Sequence, residues 1–236
     1  MVKGRQFTDF RDTGDPVSAA RIYNAQNADE LVFLDIEASV GGRRALLDVI
    51  ERVSAECFMP LAVGGGVRTI EDVRMLLRAG ADKVVITSAA VETPEFLREV
   101  SDHFGAQCVV MGVDFRRDPA LGYRVFSRNG SVAHELSVEA HVGRAAALGA
   151  GEVLLNSIDE DGMMRGYDLE IATRARAVTT LPIILAGGAG NFQHLADGFN
   201  AGADAAACAS LFHFGDNNPI RARSFLKNAG FPVKLA

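Results

Sequence analysis

Sliding the chain against itself by 122 positions, without a gap, lays Gly65, Gly66, Ala79, Gly80, Ala81, Asp82 and Ser88 on Gly187, Gly188, Ala201, Gly202, Ala203, Asp204 and Ser210. The same shift carries Ala28, Glu30 and Ile36 onto Ala150, Glu152 and Ile158, so the match runs over about sixty residues of each copy. A gap-free repeat of that length implies two structurally equivalent halves.

Within each half, short apolar or β-branched runs alternate with helix-period stretches. The runs fall at 31–36, 61–63, 83–87, 107–114, 152–158, 181–185 and 204–210, and the helical stretches include 69–78, 94–103 and 138–148. Strand alternating with helix gives a parallel sheet. Two copies of four βα units closing on each other give an α/β (β/α)8 TIM barrel, a single domain over residues 1–236. An open doubly wound sheet has no use for twofold identity, and neither glycine cluster reads G-x-G-x-x-G before a helix. The runs supply seven strands. Shifting 107–114 back by 122 lands before Met1, so the first barrel strand is expected to be missing, truncated or replaced at the carboxyl end, as if the chain began one strand late.

A net charge of −6 and a pI near 5.4 argue against a broad nucleic-acid or membrane surface, which needs a basic face. No run reaches the ~18 apolar residues of a membrane span, and the amino terminus lacks the apolar core of a signal peptide. A cytoplasmic protein is expected. Cys57, Cys108 and Cys208 lie in or beside apolar runs without metal-type spacing, which reads as buried free thiols. The histidines form no HxH or HExxH pair, His213 reads as a packed residue, and neither a metal nor a cofactor is called for.

Active sites of such barrels lie at the carboxyl ends of the strands. That rule selects Asp35, Gly64 to Gly66, Thr87, Ser88, Asp114, Ser157, Asp159, Asp161, Gly187 to Gly190 and Ser210 as one rim. Each glycine cluster follows a strand and precedes a helix, where bare N–H groups favour an anion, and each is followed one unit later by a strand ending in a hydroxyl. The duplication implies two phosphates, although a glycine turn alone is equally a tight connection. Asp114 ends an otherwise apolar strand, a costly place for an unused charge. Of Asp159 and Asp161 on the next loop, at least one is expected to point inward, the alternative being helix caps. Lys3 heads a polar stretch through Pro16 that reads as a lid or a frayed terminus. At the opposite rim, Glu30 and Glu152 are equivalent positions with Lys83 between them, a grouping that by default pairs and seals the barrel floor.

The segments 29–36 (DELVFLDI), 63–68 (VGGGVR), 80–84 (GADKV), 157–162 (SIDEDG) and 187–190 (GGAG) together resemble the HisF-type barrels of histidine synthesis, the cyclase subunits of imidazole glycerol phosphate synthase. The resemblance runs from Lys3 to the carboxyl end. It implies a bis-phosphorylated ribulosyl aminoimidazole carboxamide nucleotide as substrate, cleaved and cyclised with ammonia to imidazole glycerol phosphate and the carboxamide nucleotide. The ammonia would come from a glutaminase subunit docked at the amino-terminal rim. Carried over residue by residue, Asp114 matches one of two catalytic aspartates, Lys3 the loop lysine and Asp161 the loop aspartate. Gly65, Gly66, Thr87, Ser88, Ser157, Gly162, Gly187, Gly188, Ala209 and Ser210 fall on substrate and phosphate positions, and Glu30, Lys83 and Glu152 on three of four members of the ammonia gate. The other aspartate and the gate arginine belong to the missing strand, which implies a crippled cyclase. Glu160 stands where the family has arginine, Met163 where it has threonine, and 131–137 lacks a usual Thr-Gly. The wording at 56–60, 156–159 and 163–170 is similar to paralogues that pass ammonia to a sugar amidotransferase of surface polysaccharide synthesis. A non-catalytic scaffold that activates a glutaminase is the third reading.

Overall fold

The repeat is written into the hydrogen bonds. Asp82 Oδ2 accepts from Leu61 N at 2.8 Å, and its equivalent Asp204 Oδ2 accepts from Ile183 N at 2.8 Å. Leu31 N donates to Pro60 O and Val153 N to Pro182 O, both at 2.9 Å. Every one of these pairs of positions differs by 122, so both halves enter their strands through the same contacts.

The computed structural model describes residues 1–36, 47–213 and 216–234. A hairpin of β1 (Val2–Arg5) and β2 (Thr8–Asp12) precedes α1 (Pro16–Ala25). Next come β3 (Leu31–Leu34), α2 (Leu47–Ser54), β4 (Leu61–Gly64), α3 (Ile70–Arg78), β5 (Lys83–Ile86), α4 (Ser88–Glu92), α5 (Glu95–Phe104) and the long β6 (Val109–Asp118). An antiparallel hairpin, β7 (Gly122–Ser127) and β8 (Val132–Ser137), extends β6 and leads to α6 (Val138–Gly143) and β9 (Glu152–Ser157). The chain continues through α7 (Leu169–Arg176), β10 (Ile183–Ala186), α8 (Phe192–Asn200), β11 (Ala205–Ala206), α9 (Ser210–His213) and α10 (Pro219–Asn228).

The parallel strands stand in the order β11-β10-β9-β6-β5-β4-β3. Ala62, Val85, Val110, Leu154 and Ile184, from five different strands, form one buried cluster, and Val32 and Ala205 from the two edge strands pack against it. Opposite edges can share one inner cluster only if the sheet curls strongly on itself. A larger apolar core joins the outer face to the helices. Helix starts are set by side-chain caps, with equivalent residues Thr69 and Asn191 accepting from Asp72 N and His194 N at the heads of α3 and α8.

Three expectations need correction. The run at 204–210 yields only Ala205–Ala206 as strand, because Ala207 onward turns away toward α9. The helix expected over 138–148 ends at Gly143. Beyond these runs, the segment 131–137 contains β8, and its partner β7 alternates as a half-buried strand should, with Tyr123, Val125 and Ser127 inward. The three cysteines are free but only half-buried.

Among the described residues β3 and β11 do not pair with each other, so the curl has a seam. A cavity of about 910 Å³ occupies it, walled by Val32 and Phe33 on one side, Ala206 on the other, and Ala20, Ala222 and Leu226 of the flanking helices.

Candidate active site

The period of two along the strands sorts the inner residues into layers. Glu152, Leu154 and Asn156 succeed one another up β9, Val110, Gly112 and Asp114 up β6, and Lys83, Val85 and Thr87 up β5. The floor is therefore charged, the middle apolar and the mouth polar. Thr87 turns its hydroxyl against Gly112, where a Cβ would collide with it. Asp114 Oδ1 accepts from Asn156 Nδ2 at 3.0 Å. Burial pushes the Asp114 carboxyl up to about 7, the Asn156 hydrogen bond holds it down only in part, and the negative Asp161 nearby pushes it further up. Such a group exchanges a proton near neutral pH.

The amino-terminal stretch is an ordered hairpin laid over this mouth. Lys3 Nζ donates to Asp161 Oδ1, Gln6 N donates to Asp161 O at 2.8 Å, and Gln6 Nε2 donates to Asp159 O at 3.0 Å. Asp161 is buried and faces the lysine, whereas Asp159 Oδ2 accepts from Arg117 N at 3.0 Å and so fastens the loop to the β6 extension. Gly162, at φ 72°, lies so close under Gly4 O that any Cβ would strike it. Gly162→Ala is expected to lift the hairpin off the loop. Trypsin cleavage at Arg5 or Arg11 should then accelerate about tenfold or more, while the circular dichroism spectrum is unchanged.

The two glycine turns repeat the same close approach. A Cβ on Gly187 would lie 2.5 Å from Ser157 O, and one on Gly65 would collide with Asp35 O; Asp35 and Ser157 are themselves equivalent under the repeat. Gly188 O accepts from Gly166 N at 2.8 Å. Beside the second turn, Ser210 is buried with an Oγ that has no hydrogen-bond partner among the described residues. Gly187, Gly188, Ala209 and Ser210 share the large cavity with Lys3, Asn156, Asp161 and Gly162. Ser157 lies buried behind Gly187. The first copy differs: Gly65 and Gly66 line a separate recess of about 20 Å³, and Ser88 Oγ accepts from Arg128 N at 3.0 Å.

Residues 1–218 match the family described as histidine biosynthesis protein. Over 237 residues the chain is 48% identical to imidazole glycerol phosphate synthase subunit HisF of Frankia casuarinae, covering 99% of this chain and 93% of that protein. It is likewise 48% identical, over 234 residues and with the same coverage, to imidazole glycerol phosphate synthase subunit HisF of Streptomyces coelicolor. The chain belongs to the HisF family. It is thereby a cyclase, a lyase of histidine biosynthesis, of the kind that forms imidazole glycerol phosphate synthase within a glutamine amidotransferase complex. The resemblance read from 29–36, 63–68 and 157–162 is borne out at the level of the whole chain.

On the floor of this HisF-family sheet, Lys83 Nζ bridges Glu30 Oε2 and Glu152 Oε1, both at 2.7 Å. Burial works against the Lys83 charge, but the hydrogen bonds to Glu152 and Glu30 outweigh it and the ammonium is held above its ordinary range. For Glu30 the balance is reversed, since burial raises the carboxyl more than Lys83 lowers it. One Glu30 oxygen is buried without a hydrogen-bond partner among the described residues.

Sequence reasoning passed over Asn156, the hydrogen-bond partner of Asp114. The signal was available, because Asn156 stands two and four residues beyond Leu154 and Glu152 on a period-two strand and must share their inner face. It also passed over Tyr123, whose hydroxyl donates to Asp168 Oδ1 at 2.7 Å while Arg117 and Arg174 stack on the ring. Asp168 also binds Arg117 and caps α7, so this cluster ties the β6–β7 extension to the helix that follows the Asp161 loop.

Proposed function

We propose that this chain cleaves and cyclises the bis-phosphorylated ribulosyl aminoimidazole carboxamide nucleotide with ammonia, releasing imidazole glycerol phosphate and the carboxamide nucleotide. The observation that carries the reading is the joining, in one cavity, of Lys3, Asn156 and Asp161 with the cradle of Gly187, Gly188, Ala209 and Ser210. Asn156 in turn holds Asp114, a carboxyl poised near neutral pH.

In this reading the unpartnered Ser210 hydroxyl and the amides of Gly187, Gly188 and Ala209 take one phosphate. The equivalent Gly65, Gly66, Thr87 and Ser88 take the other, Ser88 Oγ remaining able to donate while it accepts from Arg128. Asp114 moves the proton at the reacting carbon–nitrogen skeleton, and Lys3, exchanging Asp161 for substrate, closes the hairpin over it. Ammonia enters from a glutaminase subunit at the amino-terminal rim, past Glu30, Lys83 and Glu152. The curled sheet is that of a one-domain (β/α)8 barrel in this reading. The repeat supports this, since β6 has no counterpart in the first half while its six parallel neighbours form three equivalent pairs.

Phosphorus NMR of the bis-phosphorylated substrate tests the two-ended grip. Both phosphate resonances are expected to shift on titration with the chain, and Ser210→Ala should weaken binding about tenfold. A shift of one resonance alone would overturn the paired sites.

A further inference from the structure

Phe58 is 91% exposed, while among the described residues no other exposed large apolar side chain exceeds 53%. Isolated apolar residues at the surface are ordinary, but a phenylalanine presented almost whole to water on an ordered turn is not. The turn around it is held on both sides. Cys57 N donates to Val53 O at 3.1 Å, Phe58 N donates to Asn24 Oδ1 at 3.0 Å, and the next side chain, Met59, is buried. The backbone is thus pinned and the ring is directed outward.

Its place in the fold is the amino-terminal end of the sheet. The turn runs directly into β4, and Pro60 O receives Leu31 N at the start of β3, one residue after Glu30. At the same end β5 begins with Lys83, which joins Glu30 and Glu152. Phe58 therefore stands beside the charged floor and on the opposite end from the mouth.

We infer that Phe58 is the apolar anchor on which the glutaminase subunit seats at this rim, its ring entering an apolar pocket of that partner next to the Glu30–Lys83–Glu152 cluster. The inference rests on the reading above that a glutaminase docks at the amino-terminal rim, and names the residue that holds it there. Aromatic rings on rigid backbone are the side chains that most often dominate binding, because they bury a large area with little loss of conformational freedom. Asp29 at the same rim is already paired with Arg223 at 3.0 Å, so the Phe58 ring rather than a free charge is what this border offers a partner.

Isothermal titration of the full chain with the purified glutaminase subunit of imidazole glycerol phosphate synthase measures the anchor directly. Phe58→Ala is expected to raise Kd about thirtyfold and Phe58→Asp further, while Val132→Ala, a partly exposed position on β8 at the mouth, leaves it unchanged. Unfolding midpoints of the three variants should match the parent, since the ring contributes little to the core. Tight binding by the parent with equal Kd for Phe58→Ala would overturn the anchor and leave the glutaminase reading standing. No binding by the parent would overturn both. Self-association of the parent that Phe58→Asp abolishes, with glutaminase affinity unaltered, would assign the ring to a second copy of this chain and overturn the inference.

Discussion

Replacing Asp114 by Asn is expected to lower ammonia-dependent cyclisation by about 10²–10⁴-fold while substrate affinity stays within about tenfold. Asparagine keeps the shape and can still accept from Asn156, so the loss isolates the proton. The same substitution has a stability signature of opposite sign. Burial raises the Asp114 carboxyl from 3.8 to about 7, so the folded chain holds a proton that the unfolded chain has released. The associated stability is fully present below about pH 4 and is lost as pH rises through about 7. Asp114→Asn removes that loss, on the order of 4 kcal/mol at most. Denaturant melts should find the variant more stable than the parent at pH 8 and equal to it near pH 4. A variant that is slower yet no more stable at pH 8 would mean that Asp114 is not a buried, near-neutral acid.

Lys83→Met is expected to be the most damaging single change to the fold. Lysine stands between two half-buried carboxylates, and methionine keeps much of the stem while deleting the charge that bridges them. Breaking a buried ion pair by removing one partner costs about 3–5 kcal/mol, which for a chain of this length lowers the melting temperature by roughly 6–20 °C. The loss should depend on pH. Glu30 already has its carboxyl raised by burial, and without Lys83 it takes up a proton more readily. Stability of the variant is therefore retained in acid and lost as pH rises, so melts at pH 5 and pH 8 should diverge more for the variant than for the parent. A melting temperature at pH 8 unchanged by Lys83→Met would show that the floor cluster is solvated and carries no structural load.

What could be read from the chain, and what could not, divides along a physical line. Glycine turns, strand-entry aspartates and floor charges repeat at a fixed interval because each half builds the same local contacts, so Asp82 announces Asp204 and Gly65 announces Gly187. Asp114 was legible for a different reason, as a charge at the end of an apolar strand. The hairpin β7–β8 escaped because its counterpart 122 positions earlier, the hairpin β1–β2, shares no identical residue with it, although both turn through residues at positive φ, Gln6 and Phe7 in one and Arg128 and Asn129 in the other. The length of β11 and of α6 depended on packing around neighbours, which local propensity does not contain. The docking of Lys3 on Asp161 joins residues 158 positions apart, a distance over which no local pattern speaks.

The most direct measurement is product analysis. The chain is incubated at pH 8 with the bis-phosphorylated ribulosyl aminoimidazole carboxamide nucleotide and ammonium chloride, and the mixture is resolved by ion-exchange chromatography. Imidazole glycerol phosphate and the carboxamide nucleotide should form in equal amounts, at a rate that Asp114→Asn lowers by about 10²–10⁴-fold. Binding of the nucleotide without either product, or product formation at an undiminished rate in Asp114→Asn, would contradict the account.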